Sequence, residues 1–469
     1  MKRRQFLTSS SATLLTAGIL SSLTTRRALA QGTAPLVRLS MPPLLDTRAT
    51  GRLSLTAMAS SKRFLDGPAT ATVGFNQDYL GPTILVQNGD LATEVTNTLD
   101  EPVSAHWHGL LVPGEHDGGP HLAIAPGATW RPEMRITQDP ATVWYHSHIH
   151  HRTAEQVYFG LAGVIHVTDG RDDQRGLPSE YGVDDLTLVL QDRRFDSAGG
   201  IVYDPSMMDV MHGFAGNRML VNGQAGATAV VPEGIVRLRL LNGSNARIYT
   251  LFFDDTRPMH LVATDGGYLP APVALEVLRL APGERAEILV DFATGGAPVL
   301  LSDPVQPYGI LQFEKDPSLT ARITRLPDRL DGAPEDLSGK EVRTRQISLD
   351  MGMGGMMMGG GGIAINGRPF DMNRIDFEVA LGSVERWHVR STMVAHPFHV
   401  HGVRFRVASE NGAPPRPENT GWKDTVLVPG EAEILARFDQ PASPETPLMF
   451  HCHILEHEDA GMMGQFTVS

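Results

Sequence analysis

The chain has 469 residues, 41% of them hydrophobic and 20% charged, as in a soluble globular protein of roughly two to four domains. Its net charge of −13 argues against a nucleic-acid partner, and no stretch is long and apolar enough to span a bilayer. Its 48 glycines and 33 prolines suit a turn-rich β protein.

Residues 1–30 read as an export signal. Arg3 and Arg4 form a twin arginine, a weakly apolar run covers Ala12 to Leu23, and Ala28-Leu29-Ala30 is a small-x-small cleavage site before Gln31. A twin-arginine signal predicts a periplasmic protein exported already folded. The single cysteine, Cys452, rules out an intramolecular disulfide.

Three related segments follow, at 31–172, 173–325 and 326–469. Each has alternating strands, such as Leu91–Val95, Val236–Leu240 and Val384–Val389, and each carries a Pro-Gly turn, at 126–127, 282–283 and 429–430. The last two turns lead into nearly the same residues, Glu-Arg-Ala-Glu-Ile-Leu and Glu-Ala-Glu-Ile-Leu. The expectation is an all-β chain of three Greek-key sandwiches or barrels.

The histidines are uneven over this repeat. Segment one has the pairs His106/His108 and His146/His148; segment three has His399/His401 and His451/His453. Segment two has Asn242-Gly243-Ser244-Asn245 instead, so it reads as a spacer. Spacing of i, i+2 on a strand puts both rings on one face, and eight imidazoles suffice for three coppers with positions left for dioxygen. Cys452 lies between His451 and His453 and points to the opposite face. His396 is out of parity with its neighbours and should share that face, which gives a second site of His396, Cys452, His457 and an axial Met462. Zinc would accept cysteine and histidine but has no use for the methionine. The other histidines, at 116, 121, 150, 151, 166, 212, 260 and 388, lack convergent spacing and read as surface or satisfied core residues.

The motifs His106-Trp107-His108-Gly109, His146-Ser147-His148, His396-Pro397-Phe398-His399-Val400-His401 and His451 to Met463 resemble those of the multicopper oxidases. The similarity covers nearly all of the chain after the signal and is greatest to the bacterial cuprous oxidases of copper efflux and to bacterial laccases. Asp265-Gly266-Gly267 and Gly421-Trp422-Lys423-Asp424-Thr425 support that subgroup. The resemblance implies three cupredoxin domains and four copper ions: type 1 at the cysteine site, type 2 on His106 and His399, and a type 3 pair on His108, His146, His148, His401, His451 and His453. It implies four one-electron oxidations coupled to reduction of dioxygen to water, with electrons passing from Cys452 to the cluster. Asp117 and Glu458 match acidic positions that the family uses near the cluster; the plain alternative for each is a turn carboxylate or a structural hydrogen bond.

The donor is the open point. Met351, Met353, Met356, Met357 and Met358 fall in a glycine-rich loop at 351–362, suited to Cu(I). The family's substrate-copper site also uses an aspartate and a methionine just before the His396 motif. Here Thr392 and Val394 stand there, with Met393 between them, and Asp350 with Met351 is the candidate half-site. A second group, Met207, Met208 and Met211, reads as core or loop. The expected partners are dioxygen and either Cu(I) or phenols and aromatic amines, in a monomer without a membrane or nucleic acid. The expected role is periplasmic copper tolerance. The alternatives are a laccase without that role, a copper store without turnover, and a copper-free paralogue of the division type.

Overall fold

The computed structural model describes residues 37–352, 362–391 and 393–469, so the expected signal at 1–30 lies outside the described residues. Strands dominate, in six sheets that face each other as three two-layer units, each with its own apolar core. Alternation builds the first unit: in Arg52–Lys62, Leu53, Leu55 and Ala57 are buried while the residues between them are not. That strand runs parallel to Gly89–Asn97. Parallel neighbours need a crossover, here made through the facing sheet, which gives the Greek-key path.

A long strand of the middle unit, Asp185–Phe195, is buried almost throughout. Its outer face meets the first unit, where Thr187 Oγ1 hydrogen-bonds with His166 Nε2 at 3.0 Å. In the third unit, His396–Val400 lies antiparallel to Leu448–Cys452, pairing Phe398 with Cys452 and His399 with His451. One pairing departs from the sequence division. Val37–Arg38 runs parallel to Ala227–Thr228 in the middle unit's sheet, and only Leu44–Asp46 returns to the first unit, beside Thr83–Leu85.

Three short helices fasten the units: α1 (Thr153–Phe159), α2 (Met207–His212) and α3 (Leu455–Asp459). Helix α3 touches every unit. Asp459 accepts the Thr153 and Ala154 amides at 3.2 and 2.9 Å, a carboxylate set at the positive end of α1. Glu456 accepts the Phe214 amide at 3.0 Å and Asn245 Nδ2 at 2.8 Å from the middle unit.

Candidate metal centre

The antiparallel register brings the cysteine site together. His396 Nδ1 is 3.3 Å from Cys452 Sγ, Cys452 Sγ is 3.6 Å from His457 Nδ1, and the two Nδ1 atoms are 3.2 Å apart. All three residues are fully buried, and Met462 lies in the same core. Burial, then the neighbouring imidazole, holds His396 down at about 3; burial also holds His457 at about 4, so both rings are neutral at pH 7, the form in which imidazole can bind a metal. Burial pushes the Cys452 thiol well up, so its thiolate needs a bound cation. The Ile454 amide points at Sγ from 3.3 Å, a donor suited to a thiolate.

The eight paired histidines form a second, larger site. Each pair straddles a strand end: His146, His399 and His451 are in strands, their partners lie just beyond, and His106 makes an isolated bridge to His146. Two rings from the first unit stack on two from the third, His106 on His401 at 3.8 Å and His108 on His399 at 3.6 Å between centroids. The Nε2 atoms of His148, His401 and His451 converge, at 3.3 and 3.1 Å from His451.

The outward nitrogens are anchored. Nδ1 of His106 faces the Asp117 carbonyl at 3.0 Å, that of His146 the Ser147 carbonyl at 2.8 Å, that of His399 the Asp424 carbonyl at 2.8 Å and that of His451 the Cys452 carbonyl at 3.0 Å. His401 Nδ1 donates to Asp117 Oδ2 at 2.8 Å, and His108 Nε2 to Asp424 Oδ1 at 3.0 Å. Each anchor takes the N–H and leaves the other nitrogen's lone pair facing inward. Those inner atoms, Nε2 of His106, His146 and His399, Nδ1 of His108 and both nitrogens of His453, are buried without a hydrogen-bond partner. Burial, and next the surrounding imidazoles, holds His146, His148, His401 and His453 far below the ordinary histidine range. Buried lone pairs aimed at one another without protons are costly unless a cation lies between them. The donor set fits copper: imidazoles in the cluster, thiolate and thioether beside it.

Both expected acids lie against the cluster. Glu458 is fully buried, with Oε2 3.1 Å from His451 Nδ1 and Oε1 3.5 Å from His148 Nδ1. Asp117 Oδ2 serves His401 and lies 3.3 Å from His106 Nδ1, and its Oδ1 is buried without a partner.

The residues expected at the substrate site are placed differently. Asp350 and Met351 do not form a half-site, because successive strand residues point to opposite faces. Asp350 Oδ2 accepts the Gly367 amide and Ser348 Oγ, both at 2.7 Å, while Met351 is buried in the third unit's core. Met353, Met356, Met357 and Met358 lie outside the described residues. Met393 is 61% exposed.

The middle unit is also more than a spacer. The Met211 carbonyl, in α2, lies 3.3 Å from His457 Nε2. Gly283, at φ +83°, packs so closely on His453 that a Cβ there would sit 2.8 Å from the ring. Arg285 grips Asp424 at 2.7 and 2.5 Å. The sequence holds these residues in its repeated turn and in the Gly421–Thr425 stretch, but no spacing rule gives them a role. Trp144, stacked on His146 at 4.2 Å, was likewise unassigned.

Fold and site together define a three-domain, cupredoxin-like β protein with a histidine-rich centre where its first and third units meet. Models of the multicopper oxidase family match residues 57–172, 184–297 and 342–469. The chain belongs to the multicopper oxidase family. Among solved structures, it is similar to a laccase-like multicopper oxidase, CueO, from Ochrobactrum sp., with 45% identity, TM-score 0.88 and coverage of 93% of this chain and 100% of that one. The McoA multicopper oxidase of Aquifex aeolicus gives 32% identity and TM-score 0.82, over 93% of this chain and all (100%) of its own. Among curated proteins, it is 40% identical over 450 residues to the cell division protein FtsP of Escherichia coli (strain K12), covering 92% of each chain. FtsP of Salmonella typhimurium gives 41% identity over the same coverage of 92%.

Proposed function

We propose that the protein is an exported oxidase that holds four coppers and passes electrons from Cu(I) or small aromatic donors to dioxygen. The observation that carries this reading is the complete donor set, ten histidines and Cys452, assembled in two buried sites that share the segment His451–His453. Bound copper supplies one-electron acceptance at the cysteine site and reduction of dioxygen to water at the cluster.

The chain supplies the rest. Cys452 is bonded covalently to both His451 and His453, and the His451 Nδ1 contact to its carbonyl at 3.0 Å adds a second link between the sites. Asp117 Oδ1 and both Glu458 Oε atoms are buried without a hydrogen-bond partner beside the space that the imidazoles enclose, and are placed to pass protons into it. The buried walls exclude bulk water. The dispersed Asp350 and Met351 favour organic donors over tightly bound Cu(I), with Met393 as the exposed soft group nearest in sequence to the His396 motif. The signal-like N-terminus supports a periplasmic site, and no helix among the described residues is long and apolar enough to cross a membrane.

A second reading, a division-associated protein without turnover, is favoured by identity of 40–41% to proteins named FtsP. Oxygen consumption separates the two. Copper-loaded protein in an oxygen electrode should consume oxygen with a phenol and with Cu(I), the phenol the better donor. Full copper loading without oxygen uptake from either donor removes the oxidase reading and leaves a copper store, whereas a chain that takes up no copper leaves the division one.

A further inference from the structure

Arg285 belongs to the middle unit, which supplies none of the clustered histidines among the described residues. Its side chain nevertheless reaches all three units. Nε donates to the Thr142 carbonyl at 3.1 Å, on the strand that ends in His146. Nη1 donates to the Gly283 carbonyl at 2.9 Å and to Asp424 Oδ1 at 2.7 Å. Nη2 donates to the Asp265 carbonyl at 3.1 Å and to Asp424 Oδ2 at 2.5 Å. The planar fork is filled, and a lysine cannot reproduce it.

Asp424 takes the bidentate side of this fork, with Asp265 Oδ1 farther off at 3.6 Å from Nη1, and it serves two stacked rings at once. Its Oδ1 takes the His108 Nε2 proton at 3.0 Å, and its backbone carbonyl takes the His399 Nδ1 proton at 2.8 Å. The two rings therefore turn different nitrogens inward, Nδ1 from His108 and Nε2 from His399, and both inner atoms are buried without partners. Thr425 Oγ1 adds 2.9 Å support to Oδ1. Arg285 and Asp424 are 1% and 2% exposed, so no water can stand in for either partner.

We propose that Arg285 is a positioning residue for the histidine cluster: by clamping both oxygens of Asp424, it fixes the tautomer in which His108 offers Nδ1. The unit without copper ligands thereby governs how well the cluster takes metal. This rests on the copper reading above.

The test compares wild type, Arg285→Lys, Asp424→Asn and a control, Arg237→Lys. Arg237 is also buried and ion-paired in the middle unit, to Asp172 and Glu287, but it touches no clustered histidine. Copper is titrated into metal-free protein, with copper per chain, thiolate-to-copper absorption and the electron paramagnetic resonance of the cluster as readouts. Arg285→Lys and Asp424→Asn should weaken cluster copper binding roughly 10- to 100-fold and alter its resonance, with the Cys452-site absorption intact. Arg237→Lys should leave the cluster unchanged. Cluster affinity and resonance like wild type in both variants overturn the proposal. So does parallel loss at both sites, or unfolding of both variants where Arg237→Lys stays folded, since either marks a general structural pin. A wild type that binds no cluster copper instead overturns the copper reading itself.

Discussion

The two candidate sites adjoin along three consecutive residues, His451 to His453, but depend on the fold in different ways. The cysteine site takes His396, Cys452 and His457 from the third unit, on one sheet and the helix after it, and meets the middle unit at one point, the Met211 carbonyl on His457. The histidine cluster takes four rings from the first unit and four from the third, and the middle unit braces it through Gly283 and Arg285. A site within one unit is as stable as that unit's core. A site between units also requires correct docking, so it is the one that distant substitutions should reach first.

The largest effect separates the sites at their shared segment. Cys452→Ser should abolish blue colour and reduce oxygen uptake to background, with cluster copper retained, because the cluster's anchors do not use Sγ. Copper analysis and visible spectra check this, and loss of cluster copper would mean that the sites assemble together. Next in size is Glu458→Gln, which keeps the shape but cannot release a proton. Reoxidation by oxygen should slow roughly 10²- to 10⁴-fold in stopped flow while anaerobic reduction of the cysteine site stays fast. Slowed reduction with normal reoxidation would place Glu458 in the donor half instead. The smallest is Gly283→Ala, where the positive φ and the close His453 ring should cost about 2–4 kcal/mol of stability and lower cluster occupancy. Thermal unfolding and copper content read it out, and a lowered cysteine-site absorption would show that the middle unit controls both sites equally.

What was legible in the sequence was what local geometry repeats. The i, i+2 histidine pairs converge because strand parity survives to the strand ends, and His396 and Cys452 meet because antiparallel register aligns neighbouring faces. The same parity separates Asp350 and Met351, since adjacent residues of a strand point to opposite faces. Arg285 and Asp424 lie in a repeated turn and in the Gly421–Thr425 stretch, but nothing in either segment pairs two charges 139 positions apart. The pair's meaning appears only when the fold buries both ends. The Val37–Arg38 pairing was hidden likewise, because two residues are too short a strand to show alternation.

That N-terminal pairing bears on how the chain comes to be folded. Val37 finds its partner at Ala227, so the first strand among the described residues stays unpaired until about half the chain has been made. Contacts this distant in sequence close slowly, and the edge left waiting is open to wrong partners. A chain threaded through a membrane from its front end would arrive with that edge bare. One that completes synthesis and folds before crossing would not.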